Sequence, residues 1–221
     1  MIKIRRKNSH QNKQNKSQIK RPRVNGTPDN NVNLKPLTCY LLLMAYFYLD
    51  IETFSEGATP NPIKDKIITI QYQEMNANGT PAGSLNILKE WEKGEEGILK
   101  EFIPLLKPWS FIPVGNNLNY ERKFLKTKCL QHAIPFDIYD FTYNSPAIDI
   151  QSLFVILNKG QFKGCGMHNF TSKKTNGSVI APWYRNKEYD KIEQYIKEET
   201  EAFLEFYQKC HEELPKVFPK R

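Results

Sequence analysis

The chain has few of the residues that build a disulfide scaffold or a zinc centre. Among its 221 residues are four cysteines (Cys39, Cys129, Cys165 and Cys210), none in a C-x-x-C pair, and four histidines. That scarcity argues against both architectures. It fits a reducing, cytoplasmic setting with thiols used in packing. Long apolar runs are also missing. The longest, Leu37 to Leu49, has thirteen residues, whereas a spanning helix needs roughly 20. The basic stretch ahead of it is too long for a signal peptide, and no small-residue cleavage site follows. No membrane contact is expected.

Acid is almost absent from the start of the chain. Residues 1–36 carry ten basic residues and one acid, Asp29, leaving 22 basic and 23 acidic residues in the rest. The overall +8 is thus a property of the first segment, and the remainder is nearly neutral. A basic balance of this kind does not make the folded part a basic nucleic-acid binder. The first segment is rich in Asn, Gln, Lys and Pro, without apolar periodicity. It cannot bury enough surface to offset the entropy of ordering, so disorder is expected. It is either an arm that gains affinity from phosphates or an inert extension, including one that arises from translation upstream of the true start. Met44 stands immediately ahead of the first strand, where a compact domain would begin. The expected organisation is a disordered basic extension and lead-in over 1–43, one domain over 44–214, and a short tail over 215–221.

From Tyr46 the pattern becomes regular. Tyr46 to Thr53 reads as a strand, Lys66 to Gln73 (KIITIQYQ) as a second and Ser84 to Leu88 as a third, joined by Gly- and Pro-containing turns. These predict an antiparallel meander. Gly94 to Leu106 predicts a helix, with Ile98, Leu99, Phe102, Leu105 and Leu106 on one face. Trp109 to Val114 predicts a short buried strand, and a turn at Gly115 opens a helix running to about His132. A short strand over Ala147–Ile150 and a helix over Gln151–Leu157 follow. Lys159 to Pro182 reads as loop. Glu188 to Glu213 predicts a long amphipathic helix with Ile192, Tyr195, Ile196, Phe203 and Phe206 inward. A meander followed by alternating strands and helices predicts an α/β fold with a mixed sheet.

Three places carry chemistry. The first strand ends in Asp50 and Glu52, which at i and i+2 share one face. Two adjacent carboxylates repel, and a divalent ion that prefers carboxylate oxygen, Mg or Mn, is the usual remedy. The plain alternative is a strand end running out into solvent. Glu121 follows Tyr120 and lies four residues after Asn117. Alone, it reads equally as a first-turn glutamate favoured by the helix dipole. Tyr195 and Glu199 are four apart and share one helix face, amid Glu198, Glu201 and Glu205, which also fit a solvated acidic face. His168 is either a structured loop histidine or a substrate contact.

Taken in order, Asp50-x-Glu52, Asn117-x-x-Tyr120-Glu121 and Tyr195-x-x-x-Glu199 resemble the three motifs of the DEDD superfamily of 3′–5′ exonucleases. The likeness is to the tyrosine-type branch, similar to proofreading domains of family-B DNA polymerases and small stand-alone archaeal relatives. It covers about residues 44–210. Where that family has aspartate in the second and third motifs, this chain has Glu121 and Glu199. The resemblance implies a ribonuclease-H-like fold, a mixed five-stranded sheet flanked by helices with the site on its central strand. It implies two divalent cations, Mg or Mn, held by Asp50, Glu52, Glu121 and Glu199, with Tyr195 orienting a water. It also implies contacts from Thr53, Phe54, Asn117 and Tyr120 to the terminal nucleotide. The substrate would be a single-stranded DNA or RNA 3′ end, and a replication or repair factor the natural partner. The alternative is a catalytically weak nucleic-acid-binding module with a degenerate site.

Removal of residues 1–43 should leave the thermal transition intact. If the segment binds phosphate, its removal should flatten the salt dependence of nucleic-acid binding. An unchanged slope means an inert arm, and a collapsed transition means a misplaced boundary.

Overall fold

In the computed structural model, residues 44–57 and 59–218 are described. The disorder expected over 1–43 lies outside them. The sheet has five strands: β1 (Tyr46–Phe54), β2 (Lys66–Met75), β3 (Asn86–Lys89), β4 (Ile112–Gly115) and β5 (Ile148–Asp149). Their order is β3-β2-β1-β4-β5. β1 pairs antiparallel with β2 and parallel with β4. β3 lies antiparallel on β2, and β5 lies parallel on β4. This mixed sheet with flanking helices is the ribonuclease-H-like arrangement, with the acidic strand at its centre.

The helices are α1 (Glu90–Phe102), α2 (Leu118–Gln131), α3 (Gln151–Leu157), α4 (Ile180–Arg185) and α5 (Tyr189–Val217). Strand alternation divides β1 between two layers. Leu49 and Ile51 pack with Ile98, Leu99 and Phe102 of α1 and Phe124 and Leu125 of α2. Tyr48 faces the other way, onto Phe154 of α3 and Phe203 of α5. β2 is buried without a break from Ile67 to Gln71, as expected of a strand with neighbours on both edges and helices on both faces.

Several elements differ from the sequence expectation. α1 begins at Glu90, four residues before the predicted start, and bends at Gly94, whose φ of 73° suits glycine. Leu105, expected inward, lies in a 3-10 turn and is 40% exposed. β4 starts at Ile112 rather than Trp109, which sits in a turn with φ 67°. At the end of the stretch read as loop, α4 begins at Ile180 and runs only six residues, to Arg185, too few for a 3.6-residue period to register. α5 continues through Pro215 to Val217.

Gly115, at the end of β4, fixes how closely α2 approaches β1. A Cβ there would lie 2.6 Å from the Leu49 carbonyl oxygen and 2.7 Å from the Leu118 side chain. Gly115→Ala should therefore cost about 1–3 kcal/mol of stability, the usual range for overpacking, read by urea denaturation. An unchanged midpoint would show that β1 and α2 can part at little cost.

Candidate active site

The acids of β1 and the last helix meet through a match of steps. Two residues along a strand advance about 6.6 Å, and four along a helix advance about 6 Å. α5 crosses the face of β1 in the opposite direction, so three pairs fall into register. Phe203 packs on Tyr48, ring centroids 4.8 Å apart. Glu199 lies beside Asp50, and Tyr195 beside Glu52. One oxygen each from Asp50, Glu52 and Glu199 falls within 4.8 Å of the others. Glu121, in the first turn of α2, also lies close to Asp50 and is 2% exposed. These acids line one cleft of about 770 Å³ with Thr53, Asn116, Asn117, Tyr120 and Tyr195.

Burial disfavours charge here, and neighbouring carboxylates add to the effect. Burial and then Glu199 push the Asp50 carboxyl up to about 7. Glu52 is raised well above the usual range by burial and by Glu199 and Asp50, and Glu121 by burial and Asp50. Burial and the Glu52 and Glu199 charges push Tyr195 far up, so its phenol keeps its proton.

The donor set suits hard cations. Glu121 Oε2, Glu199 Oε2 and Asn116 Oδ1 are buried with no hydrogen-bond partner. Unpartnered buried oxygens are costly, and they are the ligand type Mg or Mn takes. The residues present thus fit such ions, with Asp50 between two groups of acids.

Five residues of the site were not singled out by the sequence. Gln71 is opposite Asp50 on β2, and its Nε2 donates to Asp50 Oδ2 at 2.9 Å. Thr69 donates to Gln71 Oε1 at 3.0 Å, fixing that amide. Asn116, next to the Asn117 that the sequence singled out, holds the unpartnered oxygen. Lys173 donates to the Tyr195 hydroxyl at 2.6 Å and to Glu199 Oε1, with its ammonium 4.6 Å from the Tyr195 ring centre. Phe162, 75% exposed, stands at the cleft wall.

The contacts expected from the motifs divide. Thr53 and Tyr120 share a 2.6 Å hydroxyl hydrogen bond on the cleft floor. Phe54 does not line the cleft. The register shifts between Glu52 and Thr53, and Phe54 packs against Tyr184, with the Arg185 guanidinium over its ring. His168 is exposed on the loop and lines no part of the cleft.

No family model and no curated protein matches this chain. Solved structures do. E. coli Exonuclease I in complex with a dT13 oligonucleotide matches with a TM-score of 0.55 at 10% identity, over 79% of this chain and 42% of that one. Exonuclease I (apo) matches at 0.43 and 11%, over 55% and 32%. A metal-free E. coli ExoI–ssDNA complex matches at 0.41 and 11%, over 52% and 30%. The likeness at this identity is one of fold, and the chain spans less than half the length of these proteins.

Between its unfolded value and about 7, folded Asp50 holds a proton that the unfolded chain releases. Metal-free stability should therefore fall as pH rises from 5 to 8. Lys173→Met removes the ammonium bonded to Glu199 and should steepen the fall, with a loss of up to about 3 kcal/mol at pH 8. Urea unfolding with EDTA at both pH values measures this. A flat profile would mean that the acids are solvated.

Proposed function

We propose that this protein is a metal-dependent exonuclease that removes nucleotides from the 3′ end of single-stranded DNA or RNA, of the tyrosine type. One observation carries the reading. Asp50 and Glu52 of β1 cluster with Glu199 of α5, and Glu121 of α2 joins them on the floor of one cleft, with unpartnered oxygens, beside a protonated tyrosine. The fold shared with Exonuclease I supports it, since that protein has been seen with a dT13 oligonucleotide.

When bound, two divalent cations would acidify a water and neutralise charge on the attacking and leaving oxygens of a phosphodiester. Asp50 would serve both, Glu52 and Glu199 one, and Glu121 the other. Glu121 and Glu199 are each one methylene longer than the aspartate of the resembled family, roughly 1.5 Å of extra reach. Tyr195 keeps its proton, so it orients a water by hydrogen bonding and does not act as a base. Gln71 fixes the Asp50 carboxylate, leaving its other oxygen free. Thr53 and Tyr120 form a hydroxyl pair suited to a terminal sugar. Phe162 supplies the exposed ring on which a base can stack, whereas Phe54, expected to contact the terminal nucleotide, lies outside the cleft. Acids recessed in a cleft favour a strand end over an intact duplex.

The Lys173–Glu199 ion pair favours a second reading, a binding module whose site the ammonium keeps closed. A cation held at Glu199 would compete with Lys173 for the charge of that carboxylate.

A 5′-labelled single strand distinguishes the two readings. Mononucleotide release from the 3′ end should require Mg or Mn and vanish in Asp50→Asn. Tyr195→Phe should lower kcat about 10²-fold or more, with little change in affinity. Glu121→Asp and Glu199→Asp should each reduce activity, because the backbone is built around the longer arm. Salt-sensitive binding without cleavage would establish the binding module instead.

A further inference from the structure

Asp149 ends β5 at the edge of the site, and the catalytic reading gives it no part. Its carboxylate accepts three backbone N–H groups. Asn117 and Leu118 donate at 2.8 and 2.9 Å from the start of α2, and Gln151 at 3.0 Å from the start of α3. Neither helix has a cap of its own. Asn117 precedes α2 in a left-handed conformation (φ 64°, ψ 46°), and its side chain makes no capping bond. Ile150, ahead of α3, has no capping side chain. Helix starts leave N–H groups without partners, and here one carboxylate serves two of them.

What Asp149 grips is the turn that carries the second acidic motif. Gly115 sits against the Leu49 carbonyl, one residue before Asp50. The Ile150 N–H donates to the Gly115 carbonyl at 3.0 Å. Asn116 and Asn117 follow, and Glu121 is in the first turn of α2. The β4–α2 turn is thus pinned from β1 on one side and from β5 on the other. Both Asp149 oxygens point at backbone N–H groups, so it is poorly placed as a further ligand.

We infer that Asp149 is a positioning residue for Glu121. It fixes the start of α2 so that the Glu121 carboxylate, with its unpartnered Oε2, faces Asp50. The inference rests on the metal-dependent reading of the cleft. Outer residues that orient ligands commonly alter metal affinity by about 10- to 100-fold when changed. A plain helix cap would alter stability alone.

The test compares the full chain with Asp149→Asn, whose amide can accept on one atom only. Asp137→Asn is the control, because the Asp137 carboxylate also accepts two backbone N–H groups, from Tyr139 and Asp140, away from the cleft. Manganese is titrated against melting temperature, and amide hydrogen exchange is measured without metal. Asp149→Asn should raise the manganese midpoint about tenfold and speed exchange over residues 117–121. Asp137→Asn should do neither. Should Asp149→Asn fail to fold, Asp149→Glu keeps the charge, moves it by roughly 1.5 Å, and should also raise the midpoint. Faster exchange with an unchanged midpoint would reduce Asp149 to a cap and overturn the inference, as would unchanged exchange. A wild type that manganese does not stabilise would overturn the metal reading, and the role of Asp149 with it.

Discussion

Four acidic side chains meet on the floor of one cleft, where burial and one another's charge oppose ionisation, and the surrounding structure holds them there. Asp50, Glu52 and Glu121 all have raised proton affinities, with burial as the first cause in each case. Carboxylates left free to choose would turn toward water. These are fixed by backbone that cannot yield cheaply. β1 is the central strand, with neighbours on both edges. α5 is bound to β1 by Tyr48 against Phe203 and Tyr207 in one apolar cluster, and to the neighbouring β2 by Ile192 and Ile196 against Ile68 in another. Such packing supplies the stability that the acid group withholds.

The same constraint explains the polar groups nearby. A strained acid group is useful only if each member points where a cation or phosphate will be. The Thr69–Gln71–Asp50 chain sets one carboxylate through two buried side chains. Gly115 permits the close approach of α2 to β1, and Asp149 holds the first residues of that helix. Lys173 is the counter-charge, and it is carried by a loop rather than by the sheet. It bonds one oxygen of Glu199 and leaves the other, Oε2, without a partner.

Much of this was legible in the sequence where a period or a fixed spacing carried the signal. An aromatic run ending in Asp50-x-Glu52 placed both acids on one strand face, and the four-residue step from Tyr195 to Glu199 placed both on one helix face. The sheet followed from a meander succeeded by alternating strands and helices. Features that depend on a single local irregularity were not legible. Phe54 lies outside the cleft, packed on Tyr184 and Arg185 of α4, a short helix that has no signal of its own, and nothing in Glu-Thr-Phe announces it. Lys173 lies in a glycine-rich stretch with no periodicity, so its partners are set by tertiary structure alone. Gln71 reads as an ordinary β2 residue until the register places it opposite Asp50. Asn116 and Asn117 are adjacent and alike, and only backbone geometry separates the one with the buried oxygen from the one in the left-handed turn.

The central claim is that these acids are a cation site, and a crystal soaked in manganese tests it most directly. Anomalous scattering should show two peaks roughly 3.5–4 Å apart, one among Asp50, Glu52 and Glu199 and the other between Asp50 and Glu121. The Lys173 ammonium should have left Glu199. Absence of anomalous density at these acids, with Lys173 still bonded to Glu199, would contradict the account.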